Sequence, residues 1–164
     1  MGQLDDVGNA TTIAHYLELL GYAGLLCGIQ KFTGKALKTR ASSPRLLAFD
    51  TALITASNPQ ESVQVLSAPD RRGHLLESAA GAYLLARAQA EHFELYWWRD
   101  GDKEVDFVPR KGSGVCAIEV KSGRIKSRKG LTAFIVQNPG CRALIVGSPE
   151  VPLEQFLLGE VDLF

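Results

Sequence analysis

The sequence predicts an α/β protein in which a central mixed sheet is flanked by helices. The longest helical pattern covers residues 71–92. Strand patterns follow it at residues 93–99, 104–108 and 115–121. A second helical pattern at 131–137 precedes the apolar run 141–147, which is typical of an inner strand covered on both faces. The resulting order, α-β-β-β-α-β, favours mixed strand pairing with helices over the sheet.

Composition places the chain among ordinary globular proteins. Its 164 residues are 46% hydrophobic and carry no formal net charge, so any attraction to nucleic acid must come from local patches. The three cysteines lie far apart without a C-x-x-C pair, which supports neither a disulfide framework nor a zinc knuckle. Because the sequence has no long apolar run and no signal pattern, we expect a cytoplasmic protein without a membrane association.

The first third of the chain predicts a separate small segment. A helical pattern is followed by two strand patterns, and between them residues 31–45 hold five basic side chains and no acidic one. This order is typical of a winged-helix segment whose wing contacts phosphates, although a solvated hairpin with a basic edge gives the same pattern. We therefore predict a winged-helix-like segment at 1–57, a linker at 58–70 and a second domain at 71–164.

Charged side chains on two of the predicted strands point to a functional site. Strand periodicity predicts that Val105 and Phe107 share one face while Asp106 takes the other, and that Glu119 and Lys121 are neighbours on one face. Carboxylates buried beside one another are costly unless a cation or a proton compensates them. This cost favours a site that binds a cation.

A third carboxylate is predicted to join them from the long helix. Glu77 shares a helical face with small and apolar residues that include Ala80 and Gly81, so this face can approach the sheet closely. Glu77 then points towards the strands, although a solvated glutamate near a helix start is the commoner arrangement for a single glutamate.

Converging carboxylates of this kind bind hard divalent cations. Asp106 and Glu119, the main-chain carbonyl of Val120 and an additional Glu77 could hold Mg²⁺ or Mn²⁺, which would activate water and stabilise charge on a phosphate. Lys121 could orient the attacking water or neutralise the phosphate.

The same residues carry a resemblance to a known superfamily. A helix glutamate, then Asp106, then Glu119-Val120-Lys121 resembles the PD-(D/E)xK nucleases, with Val105 where the superfamily's name has proline. The segments R-G-H-L-L-E-S, K-E-V-D-F-V and A-I-E-V-K-S look like the C-terminal region of predicted bacterial and archaeal AAA-type ATPases. The resemblance implies a restriction-endonuclease-like core, catalytic roles for Glu77, Asp106, Glu119 and Lys121, and a neighbouring ATPase.

Two functions remain open from the sequence. The first is a Mg²⁺-dependent deoxyribonuclease, and the second is a catalytically silent module that ties an ATPase to DNA or to a protein. The basic side chains expected to contact DNA are Lys31, Lys35, Lys38, Arg40, Arg124, Lys126, Arg128 and Lys129. Of the adjacent Trp97 and Trp98, one is expected in the core and the other exposed to a partner. The sequence leaves open whether the chain forms a homodimer.

Overall fold

The computed structural model describes residues 10–34, 43–57, 68–123 and 127–164. In chain order these residues form α1 (Ala10–Tyr22), β1 (Leu26–Lys31), β2 (Arg45–Ala48), α2 (Thr51–Ser57), α3 (Pro69–Glu91), β3 (Glu94–Asp100), β4 (Lys103–Lys111), β5 (Gly114–Val120), α4 (Lys129–Gln137), β6 (Arg142–Val146) and α5 (Leu153–Leu157). The predicted order α-β-β-β-α-β is confirmed from α3 to β6.

The strands form one open, mixed sheet of six strands in the order β2-β1-β3-β4-β5-β6. Strand β1 is parallel to β3 and β5 is parallel to β6, whereas the other neighbours are antiparallel. The two short connections, β3 to β4 and β4 to β5, join antiparallel neighbours, while α4 lies between the parallel β5 and β6. The predicted α/β class, with a mixed sheet flanked by helices, is confirmed.

The hairpin of the predicted first segment adds two strands to the sheet of the second. Gln30 and Lys31 of β1 pair with Tyr96 and Trp97 of β3. Ile29 and Leu47 of the hairpin are buried in the same hydrophobic cluster as residues of α3. The winged-helix-like identity of residues 1–57 stays a prediction. Of the predicted linker, residues 58–67 lie outside the described residues, and α3 begins at Pro69.

Helix α3 lies on one face of the sheet and approaches it closely. Its small residues face the strands, and a Cβ added at Gly81 would meet Phe107 at 3.0 Å and Leu47 at 3.2 Å. Ala80 and Leu84 on the same helix are fully buried. We call the buried group around Ala80, Leu84, Phe107, Ile118 and Val146 the α3 cluster. The predicted close approach of this helix is therefore confirmed.

Helix α4 covers the opposite face of the sheet. It begins so near β4 that a Cβ added at Gly130 would overlap the carbonyl oxygen of Glu104. We call the buried group on this side, which includes Phe32, Trp98, Val105, Val108, Ala117, Leu131 and Phe134, the α4 cluster. The sheet is thus a central layer between α3 and α4.

The two tryptophans confirm the alternation of β3 but not the expected exposure of one of them. Trp98 is 5% exposed within the α4 cluster, and Trp97 packs partly buried against the α3 cluster on the other face. Both indoles therefore contribute to the core. Within the part of the chain that the structure describes, no helix has the length and apolarity needed to cross a membrane.

Candidate functional site

A β-bulge lies in β4 where the predicted site begins. Between two paired positions β3 has one residue, Trp97, whereas β4 has two, Asp106 and Phe107. A bulge of this kind breaks the alternation of side chains and re-aims one of them. Phe107 accordingly packs in the α3 cluster and Val105 in the α4 cluster. The predicted common face of Val105 and Phe107 is wrong, because a period of two does not continue through an extra residue.

The Asp106 carboxylate is fixed to the neighbouring strand. The backbone N–H of Val120, the last residue of β5, donates a hydrogen bond to Oδ2 of Asp106 at 2.8 Å. Burial, followed by the negative charge of Glu77, raises the pKa of Asp106 to about 6, while the Val120 hydrogen bond, Lys121 and Arg45 act in the opposite direction. Asp106 therefore lies close to Glu77 and Lys121, and its negative charge is incompletely compensated.

Glu119 and Lys121 lie side by side at the end of β5, as strand periodicity predicts. The ammonium of Lys121 is 2.5 Å from Oε1 of Glu119. Glu119 is only 8% exposed, and its other oxygen, Oε2, is buried without a hydrogen-bond partner among the described residues. A buried carboxylate oxygen without a donor is costly, so it favours a further cation or donor at this point.

The backbone of Lys121 is held by β6. Its N–H donates to the carbonyl of Val146 at 2.8 Å. Gly147 follows with a φ of 90°, and a Cβ there would overlap the carbonyl oxygen of Lys121. Only glycine combines this positive φ with such a close approach. Main-chain contacts with β6 therefore help to position the end of β5, in addition to the hydrogen bond between Val120 and the Asp106 carboxylate.

Arg45, the first residue of β2, places its guanidinium among the carboxylates of this site. Its Nη1 donates to Oε1 of Glu77 at 3.1 Å and to the main-chain carbonyl of Asp106 at 3.3 Å. Its Nη2 forms an ion pair with Glu104. The guanidinium also lies over the ring of Trp97, 5.4 Å from the centroid. Arg45 therefore joins β2, α3, β4 and β3 in one network.

Sequence reasoning missed Arg45 and gave no role to Glu104. Arg45 is the last residue of the basic stretch 31–45 and the first residue of β2, and nothing in a single sequence identifies its partners on α3 and β4. The available signal was its position as the first residue of a strand pattern in a chain whose other strands carry carboxylates. Glu77 is where the helical face predicts it, directed at the sheet, but its pairing with Arg45 was not foreseen.

The predicted DNA-contacting residues fall into two groups. Lys31 ends β1, and Arg128 and Lys129 lie at the start of α4, where together with Lys103 they line an open groove of about 580 Å³. Five others lie outside the described residues, namely Lys35, Lys38, Arg40, Arg124 and Lys126. Of the predicted DNA-contacting residues, the described ones thus lie at the end of β1 and at the start of α4.

The sequence matches the model of one known protein family. The model of the family described as "Domain of unknown function (DUF4143)" matches residues 72–155, just over half of the 164 residues. The chain belongs to this family. DUF4143 domains are found C-terminal to AAA-type ATPase domains. No curated protein and no solved structure matches the chain.

The matched DUF4143 region contains the four predicted site residues but not Arg45, which contacts two of them. Glu77, Asp106, Glu119 and Lys121 all fall within residues 72–155, whereas Arg45 precedes them. The sheet nevertheless brings Arg45 against two elements of the matched region, α3 and β4.

Oxygen donors for a hard cation are present at the end of β5. Across residues 10–34, 43–57, 68–123 and 127–164, no three His, Cys, Asp or Glu side chains lie close enough together to hold a metal ion. A hard cation at this place would therefore rely on two carboxylates, a main-chain carbonyl and solvent. Mg²⁺ commonly binds proteins in this way, through one or two carboxylates and the phosphates of its substrate.

Proposed function

We propose that the chain is a DNA-binding, nuclease-like domain that hydrolyses phosphodiester bonds with Mg²⁺ or Mn²⁺ and works beside an AAA-type ATPase. The observation that carries the proposal is the arrangement at the end of β5. There the Asp106 carboxylate is held by the N–H of Val120 at 2.8 Å, next to an ion pair of Glu119 and Lys121 at 2.5 Å. The strand order around it is compatible with the restriction-endonuclease-like core implied by the PD-(D/E)xK resemblance.

The donor set fits a hard divalent cation. Asp106, Glu119 and the Val120 carbonyl would hold the ion, with Glu77 as a ligand through a water molecule. The unpartnered Oε2 of Glu119 supports this assignment, as does the mutual repulsion of Asp106 and Glu77. When bound, the ion supplies charge stabilisation for the phosphate and a more acidic water.

The side chains of this chain would then do the positioning. The Lys121 ammonium would neutralise a phosphate oxygen or orient the attacking water, and Glu119 keeps it in place. Lys31, Arg128 and Lys129, together with the basic residues outside the described ranges, would follow the DNA backbone. Because such contacts release counterions, DNA binding should weaken as the salt concentration rises.

A cleavage assay tests the proposal. The whole chain is incubated with supercoiled, linear and branched DNA in Mg²⁺ or Mn²⁺, alongside Asp106→Asn and Lys121→Met. We expect metal-dependent cleavage that both substitutions abolish. Asp102→Asn is the matched control, because this carboxylate lies exposed in the turn between β3 and β4. Absence of cleavage with every substrate, or cleavage that survives both substitutions, would rule out the nuclease function.

A second function is favoured by Arg45. Its guanidinium pairs with Glu77 and Glu104 and so compensates much of the negative charge on this side of the sheet without a metal. A partly exposed ionic network of this kind can serve structure alone. We therefore keep a catalytically silent module, which ties an AAA-type ATPase to DNA, as the alternative. It predicts DNA binding of equal affinity in EDTA and in Mg²⁺, with no cleavage in either.

A further inference from the structure

Arg45 holds the Glu77 carboxylate and places its positive charge next to the proposed metal ligand Asp106. It bonds to a Glu77 oxygen at 3.1 Å and pairs with Glu104, and it also bonds to the main-chain oxygen of Asp106 at 3.3 Å. A fixed positive charge among these groups lowers the local affinity for a second cation by Coulomb repulsion. We therefore expect the protein without DNA to bind a divalent cation weakly on this side of the sheet.

The Arg45 side chain is placed where another anion can reach it. It is 23% exposed, and Glu77 is 30% exposed, so the pair is in contact with solvent. Partly exposed ion pairs contribute little net stability, whereas a guanidinium binds a phosphate through two parallel hydrogen bonds. Arg45 is also the last residue of the basic stretch 31–45, which is expected to hold a DNA backbone. A phosphate of DNA is thus well placed to take the guanidinium from Glu77.

We propose that Arg45 is a displaceable internal cation that occupies the Glu77 carboxylate, beside Asp106, until a DNA phosphate binds its guanidinium instead. This inference rests on the proposed function and adds its regulation: DNA binding and divalent-cation binding assist each other through Arg45. The coupling is reciprocal, because each ligand removes an obstacle to the other. Metal without DNA is bound weakly, which limits cleavage to occasions when DNA is in place.

Trp97 reports on the position of Arg45. The guanidinium lies 5.4 Å from the centroid of its ring, and the indole Nε1 is buried without a hydrogen-bond partner among the described residues. Removal of the cation from the ring face changes the surroundings of the indole. Since Trp98 is the other tryptophan of the chain, Trp98→Phe makes Trp97 the sole source of indole fluorescence.

The first measurement is the affinity for Mn²⁺ alone, without nucleic acid, in the whole chain. We expect Arg45→Gln to bind Mn²⁺ about tenfold more tightly than the wild type, and Arg45→Lys to bind it much as the wild type does, because the lysine keeps the charge. Arg99→Gln is the matched control, since Arg99 contacts Glu104 at 3.3 Å but makes no contact with Glu77. Its Mn²⁺ affinity should stay within about twofold of the wild type.

The outcomes separate this inference from the proposed function. One outcome is that the wild type binds Mn²⁺, that Asp106→Asn abolishes this binding and that Arg45→Gln does not increase the affinity. This outcome would refute the blocking role of Arg45 but would support the metal site. If neither the wild type nor any variant binds Mn²⁺, both the proposed metal site and the role of Arg45 are refuted. An equal gain in Arg99→Gln also overturns the inference, because the effect would then reflect net charge alone.

The second measurement does not depend on how well Arg45→Gln folds. A short DNA duplex is added in EDTA to the Trp98→Phe protein, and binding is followed by the anisotropy of a label on the duplex. We expect the Trp97 emission to change in parallel with binding. A duplex that binds without altering Trp97 emission, or that fails to bind, overturns the proposal.

Discussion

Replacing Asp106 by Asn tests whether this carboxylate destabilises the folded protein. Burial and the nearby Glu77 raise the pKa of Asp106 from 3.8 to about 6, so the folded state holds the proton more tightly than the unfolded chain. The associated stability is fully present below pH 3.8 and is lost as the pH rises through about 6. The loss is about 3 kcal/mol, since a tenfold change in a protonation equilibrium corresponds to about 1.4 kcal/mol.

Asparagine at position 106 removes this pH-dependent loss of stability and keeps the hydrogen bond with Val120. Its side-chain carbonyl can still accept the hydrogen bond from Val120, and it carries no charge at any pH. At about pH 8 we therefore expect Asp106→Asn to be more stable than the wild type by up to about 3 kcal/mol. At about pH 3.5 the stabilities of the two proteins should differ by no more than about 0.3 kcal/mol, because Asp106 is then protonated in the folded state and mostly protonated in the unfolded state.

Urea denaturation at intervals from about pH 3.5 to about pH 8 measures the difference. Asp102→Asn, at an exposed turn, controls for the loss of one negative charge. The reasoning is refuted if Asp106→Asn is less stable than the wild type at the upper end, or if the difference does not grow as the pH rises. Added Mg²⁺ should stabilise the wild type more than the variant if the ion binds at this carboxylate.

Three further predictions concern packing and reactivity. Gly130→Ala would push a methyl group into the carbonyl oxygen of Glu104, so we expect it to lower the free energy of unfolding by about 3 kcal/mol or more. Gly123→Ala is the control and should change stability little, because a Cβ added there meets no atom within 4 Å. Equal melting temperatures of the two variants would contradict this account. Phe134→Ala removes a fully buried ring and should lower the free energy of unfolding by about 3–5 kcal/mol; a loss below about 1 kcal/mol would show that α4 is not packed as described. Burial raises the pKa of the Cys116 thiol to about 12. Of the three cysteines, Cys116 should therefore react last with a thiol reagent in the folded protein. Early labelling of Cys116 would argue against its burial.

The elements that follow a simple period were predictable from sequence. The small face of α3 around Gly81 predicted a close approach to the sheet, and the E-x-K spacing placed Glu119 beside Lys121. Each depends only on residues a few positions apart. The same is true of the α-β-β-β-α-β order, since hydrophobic periodicity within each segment is a local property.

The features that were not predicted depend on long-range partners. The bulge at Asp106 exists because β4 has one more residue than β3 between two paired positions, which is a relation between strands and not a property of either. The contacts of Arg45 with Glu77 and Glu104 span 32 and 59 positions of sequence, so neither its burial nor its partners could be inferred locally. Its basic neighbours in the chain instead suggested a solvent-facing role.

The shared sheet has a consequence for designing expression fragments. A piece cut to the matched residues 72–155 would lack β1 and β2, and with them the buried Ile29 and Leu47. It would also lack Leu163, which is 1% exposed in the same core. The main-chain groups of β3 that now pair with β1 would then form a bare edge, which invites aggregation. Well-behaved fragments should therefore begin before Leu26 and extend through Leu163.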